Sequence, residues 1–413
     1  MPNASGVFKS SRYKLESTYG TAAGQASGKE LRRVTTGVAL AKDTYGSSEI
    51  RSDLQMADFR HGVRRVAGPI NGELSPGTWA DFMSIILKRD FAAITAATSV
   101  SLTIAGTGPT YTVTRSAGDW LAGGFKKGLI VRLSVGGLNA NNINKNLYIV
   151  DLTTTVMTVI VLNATALTAE GPIAGCTITV IGKTTFVPTT GHTNKSFSFE
   201  DWYSDAVQSE LYLGCKLAQC NIALPPTGIA TIGWDVRGQD FADTAAKRTS
   251  VALTSQYFTS PTAANTFGTL AAVNGIVRVG GATIAILTGL SIAINANFTG
   301  DPVVGSNVIP EQFPGRVTVS GQASMYFPDA TMRDAFVNET EVEIMCVFSS
   351  DNSATSDFIA IAMPRCKLGG STKDDGEKGV VQTLPFQALL NSAGGTGVNT
   401  ERTTLMIQDS QAP

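Results

Sequence analysis

A strand-then-helix pattern that comes twice in one chain leaves few folds open, and this chain carries such a pattern. Its first occurrence lies within Arg51–Phe91, RSDLQMADFRHGVRRVAGPINGELSPGTWADFMSIILKRDF. From Val63 to Leu74, the residues Val66, Gly68, Ile70, Gly72 and Leu74 fall on one side and Ala67, Pro69, Asn71 and Glu73 on the other. That alternation predicts a half-buried strand. Ser75 is placed to accept a bond from a free amide of the next turn, and Pro76 suits the first helical position. Trp79, Phe82, Met83, Ile86 and Leu87 then recur at helical spacing, which commits one helix face to a core.

The second occurrence starts from Thr288-Gly289-Leu290, which matches Thr36-Gly37-Val38, and continues to Phe327-Pro328, which matches Ser75-Pro76. The separations agree, since 76 − 37 = 39 and 328 − 289 = 39. The second helix, PDATMRDAF, again places Met332, Ala335 and Phe336 at i, i+3 and i+4. Further on, LGCKLAQCNIAL resembles IAIAMPRCKLGG, pairing Cys220 with Cys366. From proline to cysteine the copies span 220 − 76 = 144 and 366 − 328 = 38 positions, a difference of 106. That is close to the length of a stretch of different texture, Ala93–Thr190, where short β-like runs such as VSLTIAG and TYTVTR alternate with turn residues. The expected fold is mainly β, with two tandem β-sandwich units, each with a flanking α-helix, and a small inserted all-β domain. The expected boundaries are 1–93 with 191–250 for the first unit, 94–190 for the insert and 251–413 for the second unit, residues 1–28 forming an N-terminal arm. Aligning the two prolines sets Val66 on Thr318, one residue out of apolar phase, which a one-residue bulge would restore.

Composition narrows the function. Charged residues are 16% of the chain and the formal net charge is −1. A protein that grips nucleic acid tightly has a basic excess, so DNA or RNA wrapping is excluded while passage of DNA past the protein is not. Five cysteines without framework spacing read as reduced thiols. The N-terminus lacks the apolar core of a secretory signal. The longest apolar stretch, Ala282–Phe298, is interrupted by Thr288, Ser291, Asn295 and Asn297, so it reads as strands and not as a membrane span. Synthesis and folding in a cytoplasm are expected.

Catalytic chemistry finds little to stand on. With only His61 and His192, histidine triads and multi-histidine metal sites are nearly excluded. Gly182-Lys183-Thr184 resembles the end of a phosphate loop, but Thr177 stands where that motif needs glycine. No G-x-S-x-G or H-E-x-x-H pattern occurs. Cys215 and Cys220 lack a second pair of matching spacing, and Asp374 and Asp375 sit in a turn-like STKDDGEKG. No catalytic residue, cofactor or metal site is expected. The loop bearing Asp43, Glu49, Arg51, Asp53, Asp58 and Arg60 reads either as a solvated loop or as an interface whose charges set register.

The segment LRRVTTGVALAKDTYGSSEIRSDLQMADFRHGVRRVAGPINGELSPGTWADF, with the sheet segments after Phe197, resembles major tail tube proteins of long-tailed, non-contractile bacteriophages. The resemblance implies tail-tube-type β-sandwiches assembled into rings whose inner sheets join around a channel. Most such rings are hexamers of one-unit chains, so two units per chain imply homotrimeric, pseudo-sixfold rings. On this reading the protein is a structural virion component, assembled in the host cytoplasm, whose stacked rings conduct the genome at ejection. Its partners would be itself and the tape-measure, tail terminator and distal tail proteins, with DNA passing without specific binding and no membrane involved. The long hairpin loop would reach the next ring through Asp43, Glu49, Arg51, Asp53, Asp58 and Arg60, with Glu311 in the corresponding second loop. Asn71, Glu73, Thr318, Ser320, Gln322 and Ser324 are candidates for the lumen face. Trp79, Phe82, Met83 and Ile86, with Met332 and Phe336, would hold the bracing helices. The alternative is a carbohydrate-binding or adhesive β-protein acting through the insert, with Trp120 or Tyr148 in the binding surface.

Overall fold

The computed structural model describes residues 3–162 and 166–413, so Met1 and Pro2 of the expected arm and residues 163–165 of the expected insert lie outside the described residues. The chain opens with β1 (Lys9–Leu15), β2 (Lys29–Glu30), β3 (Thr35–Thr36), β4 (Ala39–Gly46), the long β5 (Phe59–Glu73) and α1 (Ala80–Ile86). Six strands follow: β6 (Ala97–Ala105), β7 (Thr110–Arg115), β8 (Ile130–Ser134), β9 (Leu147–Leu152), β10 (Val156–Val161) and β11 (Glu170–Val180). Next come β12 (Lys183–Phe186), β13 (Phe197–Tyr203), β14 (Gln208–Leu224), β15 (Thr231–Gly238) and β16 (Asp240–Phe241). The remainder is β17 (Gly275–Val279), β18 (Ala282–Thr283), β19 (Leu287–Asn295), β20 (Thr318–Tyr326), α2 (Thr331–Val337), β21 (Val342–Ser349), β22 (Phe358–Leu368), β23 (Thr372–Lys373), β24 (Val381–Ala388) and β25 (Met406–Asp409). The fold is mainly β, as its alternating runs predict.

One antiparallel sheet organises the rest. Its strands lie in the order β3/β4, β5, β15, β14, β19, β20, β24, β22. In β5 the alternation expected from the sequence holds: Val66 and Ile70 are buried, and Asn71 is exposed on the opposite face. Pro69 has no N–H to donate, and the strand beside it breaks at the same level, between β3 and β4, where Gly37 N–H donates to the Pro69 carbonyl. Gly72 is required for packing, because a Cβ there would stand 2.4 Å from the Trp79 indole.

The long strands β14 and β22 leave this sheet at their N-terminal halves and enter a second layer. There β14 pairs with β13 and β16, and β13 with β1; β22 pairs with β21 and β25, and β21 with β17. Residues 9–15 are thus a paired strand of this chain and not part of a free arm; alternation puts Tyr13 into the core. Between the layers α1 buries Phe82, whose ring lies 5.1 Å from Phe197, 5.5 Å from Trp234 and 5.0 Å from Tyr13.

The start of α1 differs from the sequence reading. The helix begins at Ala80, after a turn at Pro76-Gly77-Thr78, and the Ser75 hydroxyl bonds the Thr78 hydroxyl at 2.7 Å instead of capping a helical amide. Gly77 adopts φ 72°, and its N–H donates to the buried Asp409 carboxylate of β25. Desolvation pushes that carboxyl up to about 6.

At the other end, Lys88 N–H donates to the Ile85 carbonyl and Arg89 N–H to the Ser84 carbonyl, a closure that forces Lys88 to φ 61°, where glycine is preferred. The Lys88 side chain is buried, and its Nζ has no hydrogen-bond acceptor among the described residues and lies 4.4 Å over the Phe298 ring. Burial, with Lys216 nearby, lowers its amine from 10.5 to about 8. A base with a lowered folded-state pKa loses stability as pH falls from 10.5 to about 8, because over that window the unfolded chain takes up the proton first. Lys88→Met is therefore expected to stabilise the protein by roughly 3 kcal/mol at neutral pH. The gain should vanish above pH 10.5, and denaturant melts at pH 7 and pH 11 check it.

Strands β6–β11 close into a barrel in the order β10, β7, β6, β11, β8, β9. Its apolar interior continues into Met345, Val347, Phe358, Ala360, Ala362 and Met406 of β21, β22 and β25, so the barrel is seated on the sandwich. Gln408 fastens it: the buried amide accepts from Ile130 N–H at 2.8 Å and donates to the Ile130 and Ile181 carbonyls at 2.9 and 2.7 Å. Trp120 and Tyr148 are both 0% exposed. Neither can stack on a sugar at the surface, which removes the residues on which the carbohydrate-binding alternative rested; their apolar rings fill the barrel core instead.

Candidate functional site: a bare sheet face, two open edges and a projecting hairpin

The organising sheet buries one face against the core and leaves the other uncovered. A single transverse row on the uncovered face runs Thr35, Asn71, Gly233, Asn221, Ala293, Ser320, Gln387, Lys367, each opposite the next. Of the lumen candidates, Asn71, Thr318, Ser320, Gln322, Ser324 and Glu73 all lie on this face, because each is out of phase with the buried Ile70, Val319 and Ala323. The sequence reading missed Asn221, Thr231, Ser291, Asn295 and Gln387, which share it. The alternation in SIAIN, residues 291–295, carried the signal. Side-chain amides on the face satisfy one another: Asn71 Nδ2 donates to the Thr35 hydroxyl at 3.1 Å and Gln219 Nε2 to Asn221 Oδ1 at 2.9 Å. The face is mostly small and polar, with Glu73 and Asp235 offsetting Arg237 and Lys367, and among the described residues it forms no cationic stripe to hold phosphates.

The sheet has two open edges. On one side β3 and β4 pair only with β5; on the other, residues 367–373 pair only with β24, among the described residues. Open edges of this length are pairing surfaces.

A hairpin arm built from the far ends of β4 and β5 projects beyond the sheet. Its ion pairs are internal: Arg51–Asp53 at 2.7 Å, Arg60–Asp58 at 2.6 Å, and Arg65–Asp43. The Arg51 guanidinium holds the Asp53 carboxyl below its ordinary value. Glu49 is exposed nearby. The apolar side chains at the tip are the more telling feature, with Ile50 at 100% and Leu54 at 95% exposure and Met56 exposed beside them. They stand inside the polar run SSEIRSDLQMAD, the signal that a search for charges passes over. Glu311 is not part of this arm. Its carboxylate accepts from Lys216 Nζ at 2.7 Å, which pins the second loop beneath β14. In the helices, Trp79, Phe82, Met83 and Ile86 are buried, Met332 is half-buried and Phe336 is exposed.

Among the described residues no cluster of three metal-ligating side chains occurs. All five cysteines are buried, with Cys346 and Cys366 pushed up to about 12 by desolvation. The odd spacing of Cys215 and Cys220 predicts opposite faces, but a register shift between Leu217 and Gln219 and burial on both sides of β14 place both in the interior. Iodoacetamide at pH 8 is expected to label none of the five in the native protein and all five after denaturation, as mass spectrometry would read.

A β-sandwich with an uncovered neutral sheet face and open edges on either side defines a structural assembly protein. The chain belongs to the phage tail tube protein family, whose model matches residues 10–388. No curated protein matches it. It is a structural component of the phage tail.

Proposed function

We propose that three copies of this chain close into a ring, and that stacked rings form the tail tube of a long, non-contractile phage tail. The observation that carries this reading is the eight-stranded sheet with an open edge at each side and one bare, neutral face. Joining edge to edge removes both edges and turns the bare face inward as a channel wall. A polar wall with few cations lets DNA slide during ejection, where a basic one would bind it.

The trimer follows from a duplicated unit, which the ladders support. The order of pairings β4, β5, β15, β14 recurs as β19, β20, β24, β22, and β1–β13 recurs as β17–β21. On the core face one row runs Thr36, Ile70, Trp234, Cys220, and the next four strands continue it as Ile294, Val319, Ala388, Cys366. Ile70 and Val319 are thereby equivalent, 319 − 70 = 249, whereas the prolines differ by 328 − 76 = 252. The three extra residues lie between strand and helix in the second copy, which restores the apolar phase without the one-residue bulge expected from the sequence. Residues 94–190 then read as an insert of the first unit that leans on the second, facing away from the channel.

Assembly in the host cytoplasm, with tape-measure protein inside and terminator and distal tail proteins at the ends, completes the reading. Electron microscopy of the purified protein tests it: rings or hollow tubes with three chains per ring are expected. A chain that stays monomeric at high concentration would sink it.

A further inference from the structure

The first set of strands has a groove that the chain itself fills. Arg65, Val66, Ala67, Asp235 and Arg237 meet Phe298, Thr299, Gly300, Ile309 and Gln312 of the second loop, and a cavity of 340 Å³ is all that remains between them. The second set has the same groove, and it is open. Shifted by 249 along β5 to β20 and by 388 − 234 = 154 along β15 to β24, the groove residues fall on Pro314, Gly315, Arg316, Leu389 and Asn391. Four of these line a cavity of 1010 Å³. Leu390 at its rim is 44% exposed, while its counterpart Val236 is 0% exposed.

We infer that this open groove receives the Val38–Lys42 segment of a neighbouring copy of the chain. The filler of the first groove identifies the occupant. Phe298 lies three residues past the end of β19, the strand that follows β14 across the sheet, and its counterpart, by 294 − 36 = 258, is Leu40. Leu40 cannot reach the groove of its own chain, because β3 and β4 lie seven strands away from β22 in the sheet order. The β14–β19 junction inside the chain is thus the template for the junction between chains. Transferred residue by residue, the pairing of Asn221 with Ala293 becomes Lys367 of one copy opposite Thr35 of the next. Val342 already pairs with Cys366, so Lys367 is the first free position on that edge. The inference rests on the ring reading and specifies its register.

Two experiments read it. Thr35→Cys combined with Lys367→Cys is expected to give disulfide-linked trimers under mild oxidation, at least tenfold more than the off-register pair Thr35→Cys with Lys373→Cys. Leu390→Glu, at an exposed position, is expected to abolish ring formation at concentrations where the unaltered chain assembles, with the thermal melt of the monomer unchanged. Rings that form with equal linkage from both cysteine pairs, or with Leu390→Glu in place, overturn the groove assignment and leave the ring reading standing. An unaltered chain that never forms rings overturns both.

Discussion

Glu200→Ala is expected to cost about 3–5 kcal/mol of folding stability, because it leaves a buried hydroxyl and two buried amides without their acceptor and removes the carboxylate charge beside Arg12. Glu200 is fully buried on β13. Its carboxylate accepts from the Ser209 hydroxyl at 2.5 Å and from the Tyr257 and Phe258 amides at 2.5 and 3.0 Å, with Arg12 Nη1 at 4.0 Å. Arg248, also fully buried, closes the same cluster by donating to the Ser209 carbonyl and hydroxyl and the Ser255 carbonyl. Through these bonds the segment between β16 and β17 is tied to the first set of strands, and Tyr257 in turn donates to the Ala23 carbonyl at 2.6 Å. Removing the carboxylate therefore frees the connecting segment and takes the one buried negative charge away from beside Arg12, which keeps its bonds to Gln256 and the Phe258 carbonyl. Glu200→Gln keeps one acceptor and should lose less. Equilibrium denaturation by urea measures both; an alanine variant within 1 kcal/mol of the unaltered chain would mean the cluster does not hold the connection.

Changing Ile50, Leu54 and Met56 together to serine is expected to leave rings intact and abolish tubes. Each of these side chains, nearly or largely exposed at the arm's tip, gains about 1.5–3 kcal/mol if a neighbouring ring covers it. The exposed pairs Arg51–Asp53 and Arg60–Asp58 are satisfied within the arm, and water screens surface pairs of this kind so that they add little. Asp53→Ala with Arg60→Ala should accordingly shorten tubes or slow their growth without preventing them. Sedimentation followed by electron microscopy separates the two variants. Tubes of normal length from the triple serine variant would remove the arm from the stacking contact. This ordering corrects an emphasis that charge spacing alone suggests, since charges in a polar loop stand out in a sequence while three scattered apolar residues do not.

The elements that were legible from residues share one property: their signal is local. The alternation in β5, the apolar stripe Trp79, Phe82, Met83 and Ile86, and the polar face Thr318, Ser320, Gln322 and Ser324 each follow from the geometry of one strand or helix. The family resemblance rests on the same local runs, and the family match over residues 10–388 agrees with its tail tube part. What went astray depended on distant partners. Ser75 reads as a helix cap, but Asp409, more than three hundred residues on, takes up the turn amide. Residues 9–15 read as part of a free arm because their partner, β13, begins at Phe197. Trp120 and Tyr148 read as surface aromatics because nothing nearby in sequence reveals that a barrel closes over them.

By itself the sequence determined the β class, the two strand-and-helix patterns and the polar face, since each is written in residues adjacent along one element, and the near-neutral net charge, which is a sum over the chain. Only the tertiary structure decided which strands are neighbours and therefore which edges stay open, which groove is filled and which is empty, and by how many residues the two patterns are offset. Those facts arise from backbone hydrogen bonds between segments far apart in the chain. Such bonds use the same N–H and C=O groups in every residue and leave no mark on the identity of the side chains that make them.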